Sequence, residues 1–203
     1  MVWLEVEMKV KLEDSQVPEL RKRIKEMATF SKRGTKKDDY FAIQKHGFPK
    51  KAFRIRALKD HYEVCFKKKV KDLYDEDVVV KQEFEFTLQG KEEVKDLLAL
   101  FADMGFTEWV KKIKRNETYK YNKNKKLSIE INFVKNLGYF MEMEYLCQRP
   151  EAEKAKKLIR EVLKKLKIDS NQVDNTGYTK MLWYAGKLGK KKFIDKQFKE
   201  TAL

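Results

Sequence analysis

Over residues 2–12 the chain alternates: Glu5, Glu7, Lys9 and Lys11 share one parity, while Leu4, Val6, Met8 and Val10 share the other. A period of two predicts a strand with one charged and one apolar face. Ser15 then reads as a helix N-cap with Pro18 in the first turn, and Val17, Leu20, Ile24 and Met27 follow at helical spacing. Residues 31–51 are polar, basic and loop-like, broken by a short apolar Tyr40-Phe41. Strands are expected over 52–58 and 62–68, joined by a turn at Lys59-Asp60, and again over 78–88. A helix is expected after Gly90, with Val94, Leu97, Leu98, Phe101 and Met104 facing inward and Gly105 as its stop. Residues 109–121, 127–134 and 139–146 read as further strands. Pro150 opens an amphipathic helix to about residue 167, with Ala155, Leu158, Ile159, Val162, Leu163 and Leu166 on one stripe. A short apolar segment at 178–184 closes the pattern. No fixed repeat or low-complexity linker interrupts it, so the expected organisation is one α+β domain over 1–186 with about eight mostly antiparallel strands. Residues 187–203 form a basic C-terminal extension.

Composition sharpens this picture. The 203 residues are 42% hydrophobic and 12% aromatic, which supplies a core and excludes a disordered chain. Charged residues reach 39%, and the formal charge of +15 favours polyanionic partners: nucleic acid, an acidic membrane surface or phosphorylated small molecules. Cys65 and Cys147 are far apart and form no CxxC pair. There is no basic, apolar leader at Met1 and no apolar run near 18 residues, so a reducing cytoplasm is the expected compartment. His46 and His61 fall in or beside loops and are expected at the surface.

The chemistry lies in which strand faces are charged. Arg54 and Arg56 oppose Phe53 and Ile55; Glu63, Cys65 and Lys67 oppose Val64 and Phe66. Lys81, Glu83 and Glu85 oppose Phe84 and Phe86, Glu130 and Asn132 oppose Ile129 and Ile131, and Glu142 and Glu144 oppose Met141 and Met143. An ordinary sheet would turn such a face to water. Here, however, carboxylates recur as ExE and cations as RxR, and amphipathic helices are on hand to cover the apolar faces. If the sheet closes, the charged faces share one interior, which is costly when empty. A polyanionic, metal-chelating ligand resolves that cost. Carboxylates take Mg²⁺ or Mn²⁺, arginines grip phosphate by forked donors, and lysines act as point charges.

These residues resemble the CYTH superfamily, or triphosphate tunnel metalloenzymes. Glu5-Val6-Glu7-Met8-Lys9 is similar to the family's N-terminal ExExK, Asp39-Tyr40-Phe41 to its D-x-Y-F strand, and Phe53-Arg54-Ile55-Arg56 to its RxR strand. Cys65-Phe66-Lys67 sits where T-x-K is usual, and Glu83-Phe84-Glu85 resembles the fifth strand's ExE. The stretch 112–115 resembles the basic K-x-R strand, 137–144 the LGxFxExE ending, and 178–182 the closing Y-x-x-L-L segment. The match covers about residues 2–184 in the family's order, with Asn132 in place of a common aspartate and Cys65 in place of a hydroxyl residue.

The resemblance implies a closed or nearly closed eight-stranded, mostly antiparallel β-barrel with helices packed outside. It implies Mg²⁺ or Mn²⁺ held by Glu5, Glu7, Glu142 and Glu144, with Glu83, Glu85 and Glu130 as further candidates. Lys9, Arg54, Arg56, Lys67 and one or more of Lys112, Lys114 and Arg115 would bind phosphates, and Lys9, Glu5 and Glu7 would serve catalysis. The implied activity is hydrolysis of inorganic triphosphate, thiamine triphosphate or a nucleoside triphosphate. The first alternative is a class IV adenylate cyclase making cyclic AMP and pyrophosphate; the second is a non-enzymatic polyphosphate or RNA binder. The chain carries no RNA-binding motif, so nucleic acid is disfavoured as a partner, as is a membrane, and a monomer or homodimer is expected.

Overall fold

In the computed structural model, residues 3–43, 47–49 and 51–185 are described. The alternating segments become eight strands: β1 (Leu4–Leu12), β2 (Ala28–Ile43), β3 (Phe53–Ala57), β4 (Tyr62–Lys69), β5 (Val79–Leu88), β6 (Phe106–Tyr121), β7 (Leu127–Val134) and β8 (Gly138–Cys147). They hydrogen-bond in the closed order β1-β5-β4-β3-β2-β6-β7-β8, a barrel without a free edge. The helical segments form α1 (Val17–Met27), α2 (Lys91–Asp103), α3 (Ala152–Lys165) and α4 (Tyr178–Tyr184) outside it. No helix among the described residues is long and apolar enough to cross a membrane.

The described residues divide into two compact units, one drawn from 3–35, 68–83 and 114–176, the other from 36–43, 47–49, 51–67, 84–113 and 177–185. In the first, Val6, Met8, Val10, Ile129, Ile131, Met141 and Met143 are buried with Leu20 and Ile24 of α1 and Ala155, Ile159 and Val162 of α3. Burying one such side chain is worth about 1.5–3 kcal/mol, so the helices hold the sheet's apolar face firmly. The opposite face of β1 is buried as well: of its nine residues only Lys11 is exposed. A solvated charged face is therefore ruled out for this strand. In the second unit, Phe41, Ile55 and Val64 pack against Val94, Leu98 and Phe101 of α2.

Three expectations are corrected. The stretch read as a loop over 31–51 is largely strand, because β2 runs to Ile43. Residues 29–35 of β2 are exposed, with Phe30 the one large apolar side chain among them, so they carry no apolar alternation. Ser15 does not cap a helix. It lies inside a 3-10 turn, Asp14–Gln16, closed by a reciprocal capping box of Glu13 and Gln16, and α1 begins at Val17. Met104 lies past the end of α2 at 48% exposure, while Gly105, at φ +77°, ends the helix as expected. Pro150 opens a short 3-10 turn, Arg149–Glu151, that leads into α3. Cys65 and Cys147 are buried and are not joined in a disulfide. The basic extension over 187–203 and His46 lie outside the described residues.

Candidate active site

Strand register in the first unit sets charged residues side by side. Glu7 faces Glu144 and Lys9 faces Glu142 across β1 and β8, Glu130 faces Glu142 across β7 and β8, and Glu5 faces Lys81 across β1 and β5. Lys114 Nζ donates to Glu142 Oε2 at 2.8 Å and to Glu130 Oε2 at 3.1 Å. Lys81 Nζ donates to Glu7 and lies 3.5 Å from Glu5 Oε1. Thr118 Oγ1 donates to Glu130 Oε1 at 2.9 Å, and Asn132 Nδ2 to Glu142 Oε2 at 2.7 Å. Lys9 Nζ donates to the carbonyl of Thr176, and Lys9 N–H to Asn175 Oδ1, which ties the segment before α4 onto β1.

The electrostatics follow from this crowding. Burial lowers the Lys9 pKa, against the pull of Glu142 and Glu7. Burial also works against a charged Lys114, but Glu142, Glu130 and Glu144 outweigh it and hold its pKa above the usual lysine value. Burial, reinforced by the charges of Glu5, Glu130 and Glu142, pushes Glu144 up to about 8. The cause is visible in the count: with every group ionised, Glu5, Glu7, Glu130, Glu142 and Glu144 meet Lys9, Lys81 and Lys114, a formal excess of two negative charges that the proton on Glu144 reduces.

A divalent cation fits this set. Carboxylate oxygens of Glu5, Glu7 and Glu144 come within 4.8 Å of one another, as do those of Glu130, Glu142 and Glu144. Every donor is oxygen, the preference of Mg²⁺ and Mn²⁺. Asn132 adds a buried Oδ1 that accepts no hydrogen bond among the described residues.

The second unit carries the arginine cluster. Asp38 faces Arg56 and Tyr40 faces Arg54 across β2 and β3, and across β3 and β4 Arg56 faces Glu63. Arg56 donates to Asp38 through Nε at 2.6 Å and Nη2 at 3.0 Å, and to Glu63 through Nη1 at 3.2 Å. Arg54 donates to Glu63, and its Nη2 lies 3.4 Å from Glu85 Oε2. Lys112 Nζ pairs with Asp38 Oδ2 at 2.9 Å and donates to Tyr40 Oη at 3.1 Å. Its ammonium also stands 5.4 Å from the Tyr178 ring centroid, so α4 meets the cluster. Burial would raise the Asp38 pKa, but Lys112 and Arg56 hold it well below the usual carboxylate range.

The sequence candidates therefore fall into separate groups. Glu5, Glu7, Lys9, Lys114, Glu130, Glu142 and Glu144 come together in the first unit, and Arg54, Arg56, Lys112 and Glu85 in the second. Lys67 and Glu83 are half-buried on β4 and β5. Arg115 lies elsewhere: it has the opposite parity to Lys114, is exposed, and covers the Phe133 ring with its guanidinium carbon 4.7 Å from the centroid. Sequence reasoning missed Asp38, the shared anchor of Arg56 and Lys112. Once residues 28–43 are known to be strand, parity alone separates Asp38 from Asp39 and identifies it. Lys81 was seen on the charged face but not nominated.

A closed eight-stranded barrel with buried carboxylate, lysine and arginine faces defines the triphosphate tunnel class of fold. The chain belongs to the CYTH domain family, whose pattern matches residues 4–178. Its fold is similar to that of the PH1819 protein from Pyrococcus horikoshii OT3, with a TM-score of 0.70 and 23% identity over 89% of this chain and 99% of that one. A conserved hypothetical protein from Pyrococcus furiosus matches with a TM-score of 0.63 and 25% identity over 86% of this chain and 98% of that one. HpAC1 from Hippeastrum, whose structure is described as revealing a dominant triphosphatase activity, matches with a TM-score of 0.61 and 15% identity over 92% and 96% of the two chains. No curated protein sequence matches the chain.

Proposed function

We propose that the chain is a metal-dependent hydrolase of a triphosphate-containing substrate: inorganic triphosphate, thiamine triphosphate or a nucleoside triphosphate. One observation carries the reading. Five carboxylates are built in register against three ammonium groups, an excess that a divalent cation neutralises. Glu5, Glu7, Glu142 and Glu144, with Glu130 beside them, would hold Mg²⁺ or Mn²⁺. Such an ion, when bound, polarises phosphoryl oxygens and lowers the pKa of water.

Lys114 keeps Glu130 and Glu142 oriented by donating to both. The forks of Arg54 and Arg56 and the ammonium of Lys112 take phosphate oxygens, and Lys67 adds a further cation. Asp38 positions Arg56 and Lys112 by hydrogen bonds rather than touching the substrate. Water attacks the terminal phosphorus, the bridging P–O bond breaks toward the diphosphate, and the water's proton passes to Lys9 Nζ in its neutral amine form, which burial favours. Hydrolysis needs only groups that handle phosphate, metal and water. Cyclisation further requires an adenosine held in one orientation.

The test is incubation of the full chain with triphosphate, ATP and thiamine triphosphate in the presence of Mg²⁺ or Mn²⁺, beside Glu144→Gln and Arg54→Ala. Phosphate release lost in both variants supports the hydrolase. Cyclic AMP and pyrophosphate from ATP would replace it with the cyclase, and no turnover in any condition would overturn both.

A further inference from the structure

The arginine that the inner clusters leave out belongs to a cavity of its own. Arg115 and Glu117 project from the face of β6 opposite Lys114, where α1 packs. Arg21 of α1 donates to Glu117 through Nε at 2.9 Å and Nη2 at 3.3 Å, and Arg33 of β2 donates to the same carboxylate through Nη2 at 3.0 Å. Tyr119 Oη donates to it at 3.0 Å. One anion therefore orders two guanidiniums, each with N–H donors to spare. Arg115 pairs with no carboxylate among the described residues and stands over Phe133, its guanidinium carbon 4.7 Å from the ring centroid. Phe133 in turn meets Tyr139 edge to face, with centroids 5.0 Å apart.

Arg21, Arg33, Arg115, Glu117, Phe133 and Tyr139 border a cavity of about 430 Å³. Small-molecule sites typically measure about 300–1,000 Å³. Three guanidiniums against one carboxylate leave an excess of two positive charges beside two aromatic rings. Oriented forks recognise a phosphate, and ring edges recognise a planar aromatic body.

We infer that this cavity is a second ligand site for a nucleoside monophosphate, its phosphate held by Arg21, Arg33 and Arg115 and its base placed against Phe133 and Tyr139. The site is independent of the inner clusters and does not rest on the hydrolase reading. Glu117 is a positioning residue there: it fixes Arg21 and Arg33 and leaves Arg115 to complete the fork.

The test is an NMR titration of the isotope-labelled full chain with AMP, adenosine and inorganic phosphate, read at the backbone amides of residues 115–117 and 133–139. Arg115→Ala and Arg115→Lys run beside it. Arg115 is exposed, so both variants are expected to fold, and their unchanged spectra elsewhere would show it. AMP is expected to shift these amides saturably, with adenosine and phosphate each weaker by about tenfold or more. Arg115→Ala should weaken AMP by about tenfold, and Arg115→Lys, which keeps the charge but loses the fork, should recover only part of that. Absence of shifts at these amides, or shifts unchanged in Arg115→Ala, would overturn the site. Inorganic phosphate binding as tightly as AMP would overturn the nucleotide assignment.

Discussion

Asp38 takes both arms of the Arg56 fork, Nε at 2.6 Å and Nη2 at 3.0 Å, while its Oδ2 also lies 2.9 Å from Lys112 Nζ. Its carboxylate has no exposed surface, so two cations share one buried anion. Removing it leaves both of them short of their shared counter-ion.

Asp38→Ala is therefore expected to cost about 3–5 kcal/mol of folding stability, the usual loss when one partner of a buried pair is deleted. Asp38→Asn, which keeps the shape, should cost less. Urea denaturation of the three proteins checks this, and a loss below about 0.5 kcal/mol for Asp38→Ala would contradict the anchoring role.

A second carboxyl pair sets a pH response. Asp39 and Glu108 are buried near each other, with Lys111 Nζ 3.5 Å from Asp39 Oδ1. Burial, followed by the Asp39 charge, raises Glu108 from 4.5 to about 7. The sign follows from linkage. A carboxyl with a raised folded pKa binds its proton more tightly in the folded state, so its stabilising contribution is complete below about pH 4.5 and is lost as pH rises through about 7. Glu108→Gln should remove that part of the slope and make the protein relatively more stable at about pH 8, by an amount on the order of 2 kcal/mol. Denaturation midpoints measured between about pH 5 and pH 8 read it. The same slope in the variant would exclude Glu108 as its source.

Gly138 begins β8 at φ +93°, a backbone conformation that disfavours any Cβ even where space is open. Gly138→Ala is expected to lower stability by about 1–2 kcal/mol. A melting temperature equal to that of the parent chain would show that the turn relaxes.

Much of this architecture is legible in the sequence, and the parts that are not have physical reasons. Residues 127–134 fall where alternation places them, with Leu127, Ile129 and Ile131 buried, whereas 178–184, legible only as a short apolar segment, form a helix that buries Tyr178 and Leu182. Parity also separates Glu5 and Glu7 from Val6 and Met8, and Arg54 and Arg56 from Ile55. β2 stays hidden because residues 29–35 are exposed and show no apolar alternation; membership of a closed barrel holds them, not a buried stripe. With β2 hidden, Asp38 is hidden too. Along β6 a run of neighbouring cations gives no clue to facing. Only the register of Lys114 opposite Val134 and Arg115 opposite Phe133 sends one to the carboxylates and the other to the outer cavity.

Lys114 makes a separate prediction possible. Its ammonium offsets Glu130 and Glu142, so Lys114→Met should deepen the negative excess. The variant is expected to lose stability without metal, by about 3–5 kcal/mol, and to regain part of it with Mg²⁺ or Mn²⁺. Thermal melts with and without the ion check this. A loss that the ion leaves untouched would argue that Lys114 serves packing alone.

The central claim is that the carboxylates of β1, β7 and β8 hold a divalent metal. Titration of the full chain with Mn²⁺, followed by the electron paramagnetic resonance signal of the free ion, tests it without relying on turnover. The account predicts saturable loss of the free signal, with affinity at least about tenfold lower in Glu144→Gln and in Glu142→Gln. A free-ion signal unaffected by the protein, or affinity in both variants equal to that of the parent chain, would contradict it.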